Sequence, residues 1–74
     1  MVKVGEKVRL TESARAEMLA YREEGPEKEA IQENRVGTTL EQVGVRGRHL
    51  VIAFRVDFGS GVVMLLPEEY LVVV

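Results

Sequence analysis

Residues 49–58 read HLVIAFRVDF and contain the clearest structural pattern of the sequence. Every second position from Leu50 to Phe58 is large and apolar, whereas Arg55 and Asp57 lie between them. An alternation with a period of two is typical of a β-strand that has one side buried. The pattern therefore predicts a strand over these residues, with its apolar side in the core.

The segments that follow predict a meander of antiparallel strands. Gly59, Ser60 and Gly61 are typical of a tight hairpin turn. Residues 62–66 are continuously apolar and predict the next strand. The Pro-Glu-Glu-Tyr stretch at 67–70 predicts a one-turn bend, and residues 71–74 predict the last strand.

Two further strands are predicted upstream. Residues 7–10 alternate charged and apolar side chains, which indicates a half-buried strand. Residues 36–43 contain β-branched side chains after Gly37, and we expect that glycine to supply a bulge or a positive φ. Residues 44–47 are predicted to form the turn that leads into the strand at 49–58.

The segment between the first two strands predicts helix. Thr11 or Ser13 offers an N-cap oxygen for a first helix over about residues 13–24, whose side chains are ones that helices tolerate. Pro26 suits the first position of a second, shorter helix over residues 27–34. Both helices form an insertion between the first and second strands.

These elements predict an α+β fold with a five-stranded antiparallel sheet and a helical insertion over about residues 13–34. We expect residues 1–74 to form one domain, since a chain of this length has room for a single core. The predicted core consists of the inward-facing apolar residues of the strands: Val8, Leu10, Leu40, Val43, Leu50, Ile52, Phe54, Val56, Phe58, Val63, Leu65 and Leu71.

Three pieces of the chain carry a resemblance to a known fold. They are VGEKVRL at 4–10, GTTL at 37–40, and DFGSG at 57–61 followed by LPEEYL at 66–71. Five short strands in this order, the last entered through a brief proline-containing turn, resemble the small SH3-like barrels, including the KOW-like ones. The resemblance implies a small antiparallel barrel and no particular function. The helical insertion replaces the irregular loop that such barrels usually have at this point.

Composition excludes most catalytic and metal chemistry. The 74 residues include no cysteine and a single histidine, so neither a cysteine-based zinc site nor a cluster of imidazole ligands can form. Ser13 lies at a helix start and Ser60 lies in a glycine turn, where geometry explains them better than nucleophilic catalysis does. We therefore predict a protein that is not an enzyme and that uses no cofactor or metal.

The charge pattern also bears on location. Charged side chains recur through residues 1–10, so the chain begins without the apolar core of a signal peptide. The longest nearly uncharged apolar stretch, residues 62–67, is far shorter than the roughly 20 residues that a membrane-spanning helix needs. We expect a cytoplasmic protein.

The first helix predicts a surface for binding a protein. On a helical wheel Ala14, Met18 and Tyr21 form one apolar stripe, which we expect the sheet to cover. A second stripe on the opposite side has no surface left to cover it, and small domains commonly recover missing core by association. The predicted contact for a protein partner or a second copy consists of Ala16, Leu19 and Ala20.

A basic loop predicts an alternative partner. Arg46, Arg48 and His49 lie together around the predicted turn at residues 44–47, which we call the second hairpin. Arg55 lies on the outward side of the strand that follows. Small barrels often bind RNA or DNA through such loops, although the net charge here is −2. We therefore predict a non-catalytic protein-interaction module or accessory subunit, with a nucleic-acid-binding module as the alternative.

Overall fold

The computed structural model describes the backbone of all 74 residues and every side chain except that of Val45. The fold is α+β, with a five-stranded antiparallel sheet and two helices between the first two strands. The strands are β1 (Lys7–Leu10), β2 (Gly37–Arg46), β3 (Leu50–Asp57), β4 (Val63–Pro67) and β5 (Leu71–Val73), the helices are α1 (Glu12–Tyr21) and α2 (Pro26–Gln32), and a 3₁₀ turn spans Glu68–Tyr70.

The strands lie in the order β4-β3-β2-β1-β5, and all neighbours are antiparallel. β4 and β5 form the two edges of the sheet, although only the 3₁₀ turn separates them along the chain. No ladder joins these two strands within the part of the chain that the structure describes. The sheet is therefore open, and the predicted closure into a barrel is not observed.

Both helices begin where the sequence predicts. The Thr11 hydroxyl caps α1 by accepting a hydrogen bond from the Ala14 amide at 3.2 Å, and Pro26 opens α2. Ala14 and Met18 are buried as predicted. Tyr21 is 85% exposed, so its predicted burial is wrong. Tyr21 is the last residue of α1, because the backbone becomes extended at Arg22 and the helix ends three residues before the predicted end at residue 24.

The face of the sheet that packs against the helices holds the core, and we call it the inner face. Its centre is formed by Phe54 and Val56 of β3, which are fully buried. The N-terminal segment adds Val2, which was not predicted, and α2 adds Ala30 and Ile31, the two residues of that helix with apolar side chains to bury. The complete cluster is Val2, Val8, Leu10, Ala14, Met18, Ala30, Ile31, Phe54, Val56, Phe58, Val62, Met64, Leu66 and Leu71.

The predicted orientation of β4 is wrong. Val63 and Leu65, expected in the core, are 44% and 47% exposed, whereas Met64 and Leu66 are buried. No polar residue interrupts this strand, so the sequence contains no alternation that could identify its inner side. The register with β3 decides the orientation, because it places Met64 beside the fully buried Val56.

A bulge in β2 explains a second difference. The register with β3 shifts between Thr39 and Glu41, so one extra residue is accommodated on β2 and Leu40 turns outward. Leu40, predicted to be buried, is 48% exposed, and Thr39 is buried in its place. The Thr39 hydroxyl donates to the Lys3 carbonyl at 2.6 Å and thereby holds the N-terminal segment against the sheet.

Gly37 has a different role from the predicted one. Its φ is not positive, and the bulge lies further along the strand. A Cβ at this position would lie 2.5 Å from Cγ1 of Val56 and 3.0 Å from Cδ1 of Phe58. The glycine is therefore required by the close approach of β2 to two core side chains.

The second hairpin is longer than predicted. β2 continues to Arg46, which pairs with Leu50, so residues 44–46 belong to the strand and the turn follows them. Leu50 lies at the tip, beyond the core cluster, and is 62% exposed although it was predicted to be buried. Val43 and Ile52, also predicted in the core, are half-buried.

The last hairpin is confirmed. Gly59, Ser60 and Gly61 all adopt positive φ, at 85°, 53° and 80°, which is the backbone that this glycine-rich turn provides. The carboxylate of Asp57 accepts a hydrogen bond from the Gly59 amide at 2.8 Å and fixes the entry to the turn. Neither helix of the described structure has the length and apolar character that crossing a membrane requires.

Candidate interaction surface

The second face of the sheet, which we call the open face, carries exposed apolar side chains on three adjacent strands. β2 contributes Leu40, β3 contributes Val51, and β4 contributes Val63 and Leu65. These four side chains are between 43% and 48% exposed. Apolar residues at such positions normally face a second layer of structure.

The register places Val51, Val63 and Leu65 on the face of the sheet that also holds Ala53, Arg55 and Asp57 of β3. Residues opposite one another on neighbouring strands share a face of the sheet. Arg55 of β3 lies between Leu65 of β4 and Glu41 of β2, and Ala53 lies in the same way between Pro67 and Val43. Three strands at a spacing of about 4.8 Å and about five residues at 3.4 Å give the surface about 250 Å² in projection.

A single ion pair lies in the middle of this apolar surface. Nε of Arg55 and Oε2 of Glu41 are 3.2 Å apart, and the two side chains are 50% and 58% exposed. An exposed pair of this kind contributes at most about 1 kcal/mol to stability. The pair therefore contributes little to folding and presents one guanidinium and one carboxylate at the centre of the open face.

A shallow depression of about 320 Å³ adjoins the open face. It lies between the tip of the second hairpin and the 3₁₀ turn, and its lining includes Leu50, Val51 and Pro67 together with the carboxylates of Glu68 and Glu69. The described residues bring no three metal-binding side chains together at this or any other point.

The predicted stripe on α1 is smaller than the open face. Ala16 and Ala20 are exposed, as the second stripe requires, but Leu19 is half-buried and packs against the core cluster. The stripe therefore offers two methyl groups and part of one leucine. Its apolar area is modest beside that of the four exposed residues on the sheet.

The structure brings three of the four predicted basic residues together. Arg46, Arg48 and His49 are exposed around the tip of the second hairpin. Arg55 is separate, because it lies five residues along β3 from Leu50, about 17 Å away at 3.4 Å per residue, and is paired with a carboxylate. The basic cluster at the hairpin tip therefore consists of three side chains instead of the predicted four.

One titrating contact joins the turn before β5 to the first helix. The Tyr70 hydroxyl donates to Oε1 of Glu17 at 3.3 Å. The negative charge of Glu17 raises the pKa of Tyr70, and partial burial, the hydrogen bond itself and Glu69 act in the same direction. This contact joins α1 to the 3₁₀ turn.

Sequence reasoning did not identify the open face, although a signal for it exists. Residues 62–66 are apolar at every position, and a strand that is apolar on both sides needs covering on both sides. The helical insertion can cover only one of them. An uninterrupted apolar strand beside an amphipathic one therefore indicates a face that the chain leaves uncovered.

Comparison with known proteins identifies no family. No family model, no curated protein and no solved structure matches the chain.

Proposed function

We propose that this chain is a non-catalytic protein-interaction module or accessory subunit that binds a protein partner on the open face. The observation that carries the proposal is the unequal covering of β4, where Met64 and Leu66 are buried and Val63 and Leu65 are about half exposed. Exposed contiguous apolar patches on small proteins commonly mark sites of protein association.

The proposed scaffold is a variant of the small SH3-like barrel that has not closed. The strand order and the 3₁₀ turn between β4 and β5 support this interpretation. The two helices occupy the connection between β1 and β2, where such barrels carry a loop, and they cover the inner face. The opposite face of the sheet is left for the partner.

The chemistry of the open face favours a protein over a nucleic acid. Nucleic-acid binding depends on cations that neutralise phosphates. Among the described open-face residues of β2, β3 and β4 the cation is Arg55, and Glu41 is paired with it. A partner that presents apolar side chains around a polar group complements this surface, because it buries the leucines and valines and also hydrogen-bonds the ion pair.

Affinity capture with matched variants tests the proposal. The wild-type chain, Leu40→Ser with Val51→Ser, and Ala16→Ser with Leu19→Ser are each immobilised and exposed to lysate of the native cell. We expect the sheet variant to lose a protein that the wild type retains, by at least about tenfold, because burial of two such side chains contributes more than about 1.4 kcal/mol. The helix variant should retain it.

Two results would contradict this assignment. Loss of the captured protein from the helix variant alone would place the contact at Ala16, Leu19 and Ala20. Capture that disappears after nuclease treatment and after substitution of Arg46 and Arg48 by Gln would favour the alternative, nucleic-acid binding at the hairpin tip. Thermal melts of all variants show whether each remains folded.

A further inference from the structure

In the described structure β4 is an edge strand, and no other strand pairs with its outer backbone groups. β4 pairs with β3 on one side only, and the Phe58 amide donates to the Val62 carbonyl at 2.8 Å. In an antiparallel ladder the hydrogen-bonding direction alternates along the strand, so Val63 and Leu65 direct their N–H and C=O groups away from β3. Pro67 follows the same alternation, and because proline has no backbone N–H it leaves no unpaired donor on this edge.

We propose that β4 pairs with β4 of a second copy of this chain, antiparallel, about a two-fold axis at Met64. In this register Val63 of one copy lies opposite Leu65 of the other. Each such pair exchanges two backbone hydrogen bonds, so four bonds form and every outward group of Val63 and Leu65 is satisfied. The inference concerns the strand edge and does not depend on the partner proposed for the open face.

Charge is compatible with this register. β4 carries no charged side chain, although edge strands commonly carry lysine or other charges that oppose pairing. Glu68 and Glu69 follow the strand, and the antiparallel arrangement places them toward the neutral Gly59 and Ser60 of the other copy. The glutamates of the two copies are thus kept at opposite ends of the interface, each pair toward a turn where the Asp57 carboxylate accepts from the Gly59 amide, and the strands are uncharged at the axis itself.

The side chains also match across the axis. Val63 and Leu65 lie on the open face in both copies, so each valine packs beside a leucine of the neighbouring strand. The two open faces then become one six-stranded apolar surface. The contact between two five-residue strands is smaller than the roughly 1,200 Å² of stable complexes, so the dimer should form at high chain concentration.

Amide hydrogen exchange by NMR tests the pairing on the wild-type chain, at micromolar and at millimolar concentration. We expect the Val63 and Leu65 amides to exchange about tenfold more slowly, or slower still, at the higher concentration. The Val73 amide is the internal control, because the same alternation directs it away from β1 on the opposite edge of the sheet. Its exchange should not change with concentration.

Two variants separate edge pairing from apolar contact. Val63→Pro removes an outward N–H and leaves the hydrogen bonds to β3 intact, so sedimentation equilibrium should show a monomer at concentrations where the wild type is dimeric. Val63→Thr keeps the N–H and should remain dimeric. Circular dichroism confirms that both variants are folded, and the exchange experiment needs no variant.

Three outcomes would overturn the proposal. The first is that the exchange of the Val63 and Leu65 amides is independent of concentration. The second is that the Val73 amide becomes protected together with them, since that result indicates a head-to-tail contact between β4 and β5. The third is that Val63→Thr is as monomeric as Val63→Pro. That result would mean that the valine side chain, and not the backbone of the strand edge, makes the contact.

Discussion

The inner face and the open face belong to the same strands and both carry large apolar side chains, yet the helices cover only one of them. On the inner face Phe54 and Val56 are fully buried, whereas on the open face Leu40 and Leu65 remain about half exposed. The difference arises from the connection between β1 and β2, because its two helices pack on one side of the sheet. Hydrophobic sequence therefore indicates where a strand forms, and the covering elements determine which side becomes core.

Truncation of two neighbouring residues of β4 tests directly whether the inner face is covered and the open face is not. Met64→Ala removes a side chain that is 4% exposed in the core, and we expect it to lower the free energy of unfolding by about 2–5 kcal/mol. Leu65→Ala removes a side chain that is 47% exposed on the open face, and its cost should be below about 1 kcal/mol.

Urea unfolding at low chain concentration measures both costs without a contribution from association. A domain of this size is expected to have about 5 kcal/mol of stability, so Met64→Ala should be about half unfolded if its cost lies at the upper end of the expected range. Equal losses in the two variants would mean that the open face is covered in solution. A larger loss from Leu65→Ala would reverse the assignment of the faces.

Local chemistry made much of the fold predictable. The Thr11 cap, Pro26 at the start of α2 and the glycine turn at 59–61 each act over a few residues, and each is confirmed. β1 was predicted with its exact limits because its charged and apolar residues alternate. These elements depend on neighbours in sequence, which a single sequence displays directly.

The remaining differences depend on partners that are distant in sequence. The orientation of β4 is set by its register with β3, and the outward position of Leu40 is set by a bulge against the same strand. The helix stripe around Leu19 was identified as a surface because a wheel shows apolar stripes within one element. The open face is formed by three strands together, so no pattern within one element reveals it.

Substitution of two glycines of β2 tests how closely this strand packs against the core and against the hairpin tip. Gly37→Ala places a methyl group 2.5 Å from Cγ1 of Val56, inside the core, and we expect a cost of about 1–3 kcal/mol. Gly44→Ala meets only Cδ1 of Leu50, at 3.3 Å, and that leucine is exposed and can move. This control should be neutral, or stabilising by up to about 1 kcal/mol through the unfolded chain.

Thermal and urea unfolding of the two glycine variants compare the packing directly. The result that contradicts the structure is a neutral Gly37→Ala, since it would require β2 to lie further from Val56 and Phe58 than observed. A destabilising Gly44→Ala would indicate that the hairpin tip is packed against another surface, such as a second copy of the chain.

The smallest expected effect concerns the contact that holds α1, part of the cover of the inner face, beside the 3₁₀ turn. The charge of Glu17 raises the pKa of Tyr70 above its ordinary value of about 10, so the folded protein binds that proton more tightly than the unfolded chain does. The resulting contribution to the free energy of unfolding is fully present below the pKa that Tyr70 has in the unfolded chain. It is lost as the pH rises through the raised pKa of Tyr70 in the folded protein. Tyr70→Phe should therefore weaken the alkaline fall in unfolding free energy, and Glu17→Gln should move the Tyr70 ring resonances in an NMR titration to a lower pKa. If the Tyr70 pKa were unchanged in Glu17→Gln, α1 would lie further from the 3₁₀ turn than the structure shows. The helix would then pack less closely over this part of the inner face.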